Sequence, residues 1–589
     1  MEDLRLAFQC PYFACRIEIT LRLFVRVAGP TLIALLVWAI AEICICPSGN
    51  FPLNDDWIYA VTSRSLAFNG TFELTAQSAV AALPQKFLGF AFIRLFGFSF
   101  EVLRCATQIW AAVALFASFC LTYRLGKSLH LGWLSTTLIA ANPLYFALAN
   151  SYMSDTGGMA LNTLCSFLFV EYLFEKEPKK GTYLLCLTVA TLSTLSRQSN
   201  IIVPLSFAFC WLVFRQRSFK SLATAITPLL LSALALALYM YWVLKTVGVL
   251  CFYNAEKVYM AQRLPLLAFV ELSSCLQYGF YLGLFLLPLL ILITPAVLAS
   301  LHTNHRRFLI ALIVELSVLL FAGLEINGRQ MPIGENYIYD TGLGPVLFRG
   351  ATDPGTLPWL RAPQDLWTIV TAASSVGLAL LIVYFGLYMK RTLRQFNEGT
   401  LTKEDEAALF LVLSLVAYQG LISMQGIFDR YLIVELPLLC AILIRVGCNA
   451  KAFAQTAVDK KIESTATWLA WVSIVMLGIY SVAGLHDYFS WNRARQLAVA
   501  ELTAKKISPS KFDAGYDYNG WLYYTSGEPH PPPTISDART DNNDWMVAAG
   551  KKNGYEVIAS YPFQRWFPKG EDTVLLLRKI KTSQLIPHK

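Results

Sequence analysis

Apolar and polar residues occupy this chain in long alternating blocks. Thirteen apolar runs stand out, at residues 27–46, 101–124, 131–149, 156–174, 182–197, 200–214, 221–245, 267–300, 307–324, 365–389, 407–426, 431–447 and 466–485. A run of about 20 apolar residues, helical at roughly 1.5 Å per residue, matches the ~30 Å hydrocarbon core of a bilayer. Each run is therefore expected to be a transmembrane helix. The 267–300 run is long for one crossing and is expected to tilt, or to begin as a surface helix. A cleaved signal peptide does not fit the first run, because no small-residue cleavage site follows it and many more spans do.

Two shorter stretches follow another pattern. Residues 57–68 form an amphipathic stretch that stops at Asn69-Gly70, and apolar pieces within 83–98 are interrupted by Pro84, Lys86 and Arg94. The pieces within 83–98 are expected to lie in the membrane interface. Two long segments are not apolar. Residues 325–363 are rich in Gly, Pro and aromatics, and a loop of that length is usually functional or mobile. From about residue 491 the composition changes completely. A helix-like run reaches Lys506, strand-like runs follow at 520–524, 555–560 and 573–578, and the turn-rich 529–533 divides them. The expected fold is an all-α polytopic membrane protein of about 13 transmembrane helices with amphipathic outer-loop helices, in residues 1–487, plus a small C-terminal α/β domain on the outer face, in residues 488–589.

Composition and charge sharpen this picture. Hydrophobic residues make up 56% of the chain and charged ones 15%, against about 25% charged in soluble domains. The net charge of +9 is spread in small basic groups between the runs, which argues for membrane orientation and against nucleic acid. Arg5, Arg16, Arg22 and Arg26 precede the first run. Arg124 with Lys127, Lys179 with Lys180, and Arg215 with Arg217 follow the second, fourth and sixth. Counted across thirteen spans, these groups fall on one side. The N-terminus is then cytoplasmic, and the loop after the first run and the C-terminal segment lie outside. The 13 cysteines sit mostly singly inside apolar runs, so no disulfide or metal-ligand framework is legible.

The first outer loop carries Asn54-Asp55-Asp56-Trp57. The plain reading is a capped helix, with Asn54 as the cap and acids in the first turn complementing the helix dipole. The functional reading is a carboxylate facing a cavity at the membrane surface, able to take a proton from an attacking hydroxyl. Asp155, in Ser154-Asp155-Thr156, is a second acid on the same side. Ser154 as a cap would again account for it, but charges near a bilayer are expensive. Arg197 and Arg430 lie at two further outer junctions. Each can be an interfacial anchor whose head reaches water, or a phosphate ligand, because guanidinium presents a planar fork of donors. Tyr431, beside Arg430, and Glu335 and Tyr337, in the 325–363 loop, join them as substrate-binding candidates. His486-Asp487 reads as a structural contact. The chain has no P-loop, dinucleotide fingerprint or zinc-protease motif.

Three of these segments together resemble the GT-C superfamily of polyprenyl-phosphate-sugar-dependent glycosyltransferases. They are Asn54-Asp55-Asp56-Trp57-Ile58-Tyr59-Ala60, Met153-Ser154-Asp155, and Asp429-Arg430-Tyr431 with Pro437. Within the superfamily they look like the branch of the protein O-mannosyltransferases and the aminoarabinose–lipid A transferases. The likeness covers about the first 450 residues in architecture. The luminal repeat domain of many protein mannosyltransferases has no visible counterpart. What the resemblance implies is a first-loop acid as proposed base, which makes Asp55 the first choice and Asp56 the second, with Asp155 a further catalytic candidate. It implies a single inverting displacement, in which a sugar leaves a polyprenyl phosphate for a lipid, glycan or protein acceptor on the outer side of a bacterial inner membrane. No cofactor is expected, and a divalent metal at the three acids is not predicted. The rival class is a transporter or flippase of lipid-linked sugars, marked by inverted repeats and discontinuous helices near the midplane. Neither mark is visible. A structural or assembly protein, the third class, needs no acids converging on a membrane cavity.

Overall fold

The computed structural model describes residues 36–175, 180–215, 218–246, 262, 267–334, 336–348, 358–425, 428–454, 459–526 and 544–580. Residues 1–47 and 48–589 form two compact units. In the first, α1 spans Leu36–Ile45. The second begins with α2 (Asp56–Asn69), α3 (Leu83–Phe96), α4 (Phe100–Gly126), α5 (Leu129–Ala140), α6 (Pro143–Ala149), α7 (Ser154–Phe174) and α8 (Lys180–Ser196). A 3-10 turn, Gln198–Ile201, leads into α9 (Ile202–Phe214), then α10 (Phe219–Thr246), α11 (Leu267–Ala299) and α12 (Thr303–Ile326). A ribbon of β1 (Ile338–Tyr339) and β2 (Gly342–Leu343) precedes α13 (Gln364–Asn397) and α14 (Lys403–Gln425). A second 3-10 turn, Asp429–Val434, continues as α15 (Glu435–Ala452), followed by α16 (Lys460–Ala504). The chain ends in β3 (Phe512–Asp513), α17 (Tyr516–Ser526), β4 (Trp545–Ala548), β5 (Tyr555–Trp566) and β6 (Lys569–Lys579).

The result is a mostly helical, multi-pass membrane protein with a small C-terminal sheet. Among the described residues nine helices are long and apolar enough to cross a bilayer, or ten if α5 and α6, bent by 68°, count as one. The bend falls at Asn142-Pro143. Proline has no N–H to continue the ladder of α5, and the Asn142 side chain accepts from the Leu144 and Tyr145 amides to start α6. Among the described residues each of the thirteen runs falls on helix, and nine or ten of these helices have the length and apolarity of a full crossing. The 182–197 and 200–214 runs fall on α8 and α9, of 17 and 13 residues, short of the roughly 20 that a crossing takes. The 27–46 run is described only from Leu36.

Burial separates the helices. Over their most apolar stretch, 78% of α7 and of the 429–452 segment is buried within the protein, against 17% of α10 and of α12. The first two make the centre of the bundle. The other two present side chains such as Leu234, Leu238, Val318 and Leu319 outward, a surface suited to acyl chains. Outside these, α3 presents Phe87, Leu95 and Phe96 outward beside Arg94. Ten of the 14 residues of α2 are buried, because later segments pack over its outward face.

Beyond the bundle, α16 runs 45 residues without a break, passing through residue 487 into the C-terminal segment. The four-stranded sheet there has the order β3-β4-β6-β5. β3 pairs with β4 in parallel, and β6 is antiparallel to both neighbours. The strand-like runs at 555–560 and 573–578 are strands. The run at 520–524 is instead part of helix α17. Its aromatics pack at a spacing of four: Tyr516, Gly520 and Tyr524 all lie against Trp57, which is a helical face rather than an alternating one. Residues 529–533 lie outside the described residues.

Candidate active site

The site is assembled at the ends of the most buried helices. Ahead of α2, Asn54 takes a positive φ of 55°. Asp55, not Asn54, then occupies the capping position, and its side chain does not cap the helix. It reaches Arg430 instead, with Oδ2 and Nη1 3.2 Å apart. Asp56 diverges from it, since successive helical residues point about 100° apart. Its side chain is fully buried, with no hydrogen-bond partner of good geometry on either oxygen. Burial pushes its carboxyl up to about 8, over the opposing pull of Arg104 and of the Tyr152 and Leu53 amides. Asp56 is thus held largely neutral at pH 7 and pairs with neither Arg197 nor Arg430.

Asp155 has a comparable partner. Ser154 does not cap α7 but donates to the Tyr59 hydroxyl at 3.1 Å. Asp155, in the first turn, meets Arg197 with Oδ1 and Nη1 2.5 Å apart, and both side chains are nearly buried. Arg197 occupies the break between α8 and the first 3-10 turn. Asn200 holds that break, donating to the Gly158 carbonyl at 3.0 Å and to Ser193 Oγ at 3.1 Å, while accepting from Asn162 at 3.2 Å. The Arg197 side chain lies across Gly158, where a Cβ would stand 2.3 Å from Arg197 Cδ. Only glycine leaves the arginine room to reach Asp155.

The two pairs meet at Tyr431. The Arg197 guanidinium lies 5.0 Å from its ring centre and that of Arg430 5.5 Å, within cation–π range. Asp429, the preceding acid, draws in the ribbon loop. Its two oxygens accept from the Tyr337 amide at 3.0 Å each, and Oδ2 also accepts from the Ile338 amide at 2.9 Å. Tyr337 is buried against the arginine side of this cluster, and neither its phenol oxygen nor Arg430 Nε has a hydrogen-bond partner. The structure therefore brings Asp55, Asp155, Arg197, Arg430, Tyr431 and Tyr337 together, with Asp56 buried beside Tyr337 and facing Arg104 rather than either of the two arginines. Glu335 lies outside the described residues.

Sequence reasoning missed three neighbours. Asp429 was visible as a motif residue but not as a clamp on the loop. Lys86, read as an interruption of an apolar stretch, is fully buried with an unpartnered Nζ, 5.9 Å from the Tyr59 ring centre. Burial lowers its pKa to about 7. A lysine between apolar neighbours is itself a signal, since burying an ammonium without a partner is costly. Tyr516, in the C-terminal segment, stands edge-on to Trp57 at 5.8 Å with a phenol oxygen that has no partner.

In sum of charge, two acids and two arginines balance. Each arginine meets its acid through a single short contact, so donors remain for an incoming anion. Among the described residues, no group of three or more His, Cys, Asp or Glu could hold a metal ion.

No protein-family model and no curated protein matches the chain. Solved structures are similar to it. The crystal structures of ArnT from Cupriavidus metallidurans, in the apo state and bound to undecaprenyl phosphate, are 12% and 11% identical. Each alignment covers 93% of this chain and 98% of that one, at a TM-score of 0.39. The archaeal oligosaccharyltransferase AglB from Archaeoglobus fulgidus, in complex with an inhibitory peptide and a dolichol-phosphate, is 13% identical over 87% of this chain and 62% of that one, at a TM-score of 0.41. Both proteins are members of the superfamily that the sequence motifs resemble. At these values the likeness assigns no chemistry to this chain.

Proposed function

We propose that the chain is an integral-membrane glycosyltransferase that moves a sugar, hexosyl or pentosyl, from a polyprenyl phosphate to a lipid, glycan or protein acceptor. One observation carries the reading: two acid–arginine pairs converge on Tyr431 at the ends of membrane helices. A lipid phosphate lies at that depth, and charges are kept there at a cost that function must repay. Arg197 and Arg430 take the phosphate oxygens. Their charge stabilises the phosphate as the sugar leaves it. The acceptor hydroxyl attacks the anomeric carbon from the opposite face, the bond to the phosphate oxygen breaks with inversion, and Asp55 accepts the hydroxyl proton. Asp155 holds Arg197 in place. The basic groups between the apolar runs support a site on the outer side of a bacterial inner membrane, with the N-terminus in the cytoplasm.

The test is transfer by the purified full chain in detergent, supplied with radiolabelled polyprenyl-phosphate sugars and an extract of envelope acceptors. The expected result is release of free polyprenyl phosphate together with a labelled acceptor. Movement of intact donor across a vesicle membrane, with no sugar released, would instead identify a flippase.

A further inference from the structure

We propose that Tyr516, supplied by the segment beyond α16, is a positioning residue that holds the Asp55 carboxylate toward the acceptor hydroxyl. The inference rests on the glycosyltransferase reading and gives the C-terminal segment a part in the reaction rather than a place beside it.

The geometry begins with how firmly α17 is seated. The turn before it is closed by side chains. Asp513 Oδ1 accepts from the Gly515 amide at 3.0 Å and from Asn519 Nδ2 at 2.9 Å, and Asn519 Oδ1 accepts from the Ala514 amide at 2.9 Å. Asp517 is paired with Arg495 of α16, both buried, and the Tyr516 amide donates to the Leu347 carbonyl at 3.0 Å. The other side of α17 lies directly on α2. A Cβ on Gly520 would stand 2.4 Å from the Trp57 indole, so the backbone of one helix touches the ring of the other. Tyr516 and Tyr524 flank that ring at 5.8 and 5.6 Å. Trp57 is two residues from Asp55, so whatever fixes the indole also fixes the start of α2.

The phenol completes the argument. Its oxygen is shielded from solvent and makes no hydrogen bond of good geometry, although Asp55, Tyr59 and Arg430 are its charged and polar neighbours. Burial first, and the charge of Asp55 next, push the phenol above its ordinary range. It stays protonated at neutral pH and has one hydrogen to give. While Arg430 faces Asp55, that hydrogen is spare. When a phosphate draws Arg430 away, Tyr516 becomes the donor that keeps the carboxylate oriented, leaving its second oxygen for the acceptor.

The experiment compares Tyr516→Phe with Tyr524→Phe in the purified full chain. Both variants keep their rings on Trp57, and only the first loses a hydroxyl at Asp55. Tyr516→Phe is expected to lower kcat about tenfold, a normal value for one hydrogen bond to a charged group. Donor KM and thermal midpoint should stay unchanged. In the Asp55→Asn background it should cost nothing further, because residues acting through one another are not additive. Tyr524→Phe should match wild type. The inference is overturned if Tyr516→Phe turns over like wild type, if kcat and donor affinity fall together, or if its loss adds to that of Asp55→Asn. An absence of transfer by the wild-type chain would overturn the functional reading itself, and the inference with it.

Discussion

The two ends of the 429–452 segment carry charged clusters of similar burial and opposite character. At one end Asp405 is a finished site. Its carboxylate accepts from Arg445 Nε at 2.9 Å and Nη2 at 3.0 Å, Asn449 at 2.9 Å, Tyr388 at 3.2 Å and Thr402 at 2.5 Å. Every lone pair is in use, and nothing is left over for a ligand. About 20 Å along the helix, the cluster around Tyr431 is unfinished. Arg430 Nε and the phenols of Tyr337 and Tyr516 make no hydrogen bond of good geometry. Buried polar groups are nearly always satisfied in folded proteins. A saturated network explains itself as structure, whereas an unsaturated one at the same burial asks for a molecule that completes it.

Breaking each cluster should give different kinds of damage. The largest effect is expected from Asp55→Asn. It keeps the size of the side chain and should lower kcat about 100- to 10,000-fold, the range for loss of a general base, beside some loss of stability from leaving Arg430 without its acid. Asp405→Asn should cost stability alone. It leaves Arg445 buried without its charge partner and should destabilise the protein by about 3–5 kcal/mol, while the folded fraction keeps its specific activity. Parallel transfer assays and melting curves in detergent check both.

Next in size are Arg197→Lys and Arg430→Lys, which keep the charge but lose the planar fork. Each should weaken use of a polyprenyl-phosphate sugar about 10- to 150-fold, the equivalent of about 1.5–3 kcal/mol. Titrating donor against initial rate measures this. Arg445→Lys is the control from the other cluster and should leave donor KM alone.

A smaller effect separates two adjacent glycines. Gly158→Ala pushes against Arg197 Cδ, 2.3 Å from the new methyl, whereas at Gly157 the nearest atom is Gln85 Oε1 at 3.3 Å. Gly158→Ala should cost about tenfold in kcat/KM, roughly 1.4 kcal/mol, and Gly157→Ala less than about twofold, a few tenths of a kcal/mol. Equal losses would mean that Arg197 is not the route of the effect.

The last concerns Asp56 and is read as a shift of stability with pH rather than as a loss of turnover. Its carboxyl titrates near 8 in the folded chain and near 4 when unfolded. The folded state therefore binds the proton more tightly, and the stabilisation is full below about pH 4 and is lost as pH rises to about 8. The difference in thermal midpoint between wild type and Asp56→Asn should shift against wild type across that window. A flat difference would show that Asp56 is charged when buried.

These contrasts also show how far the sequence could be read. The helices were legible because each crossing needs a long apolar run, whatever its neighbours do. Asp55, Asp155, Arg197 and Arg430 were legible as charges stationed where charge is costly. The separation of Asp55 from Asp56 was not, since adjacent residues at a helix start differ only in the direction they face, and packing decides that. Nor was the place of Tyr516 against α2. It is one of 27 tyrosines, and its approach to α2 depends on contacts among residues more than 400 positions apart. The 520–524 run was taken for a strand because a short aromatic stretch has no period of its own until it meets a partner.

The unbroken length of α16 has a consequence for how this chain can change. Its 45 residues make a rod of about 67 Å, apolar at one end and bound to other segments at the other. There Asp487 accepts from the Trp566 and Phe567 amides at 2.7 and 2.9 Å, and Arg495 holds Asp517. One inserted residue in the apolar half would turn the far half by about 100° and advance it about 1.5 Å. Both attachments would then face the wrong way at once. Loops elsewhere can lengthen at small cost, but this helix sets a phase, and a single codon gained or lost within it would unseat the whole C-terminal segment from α2.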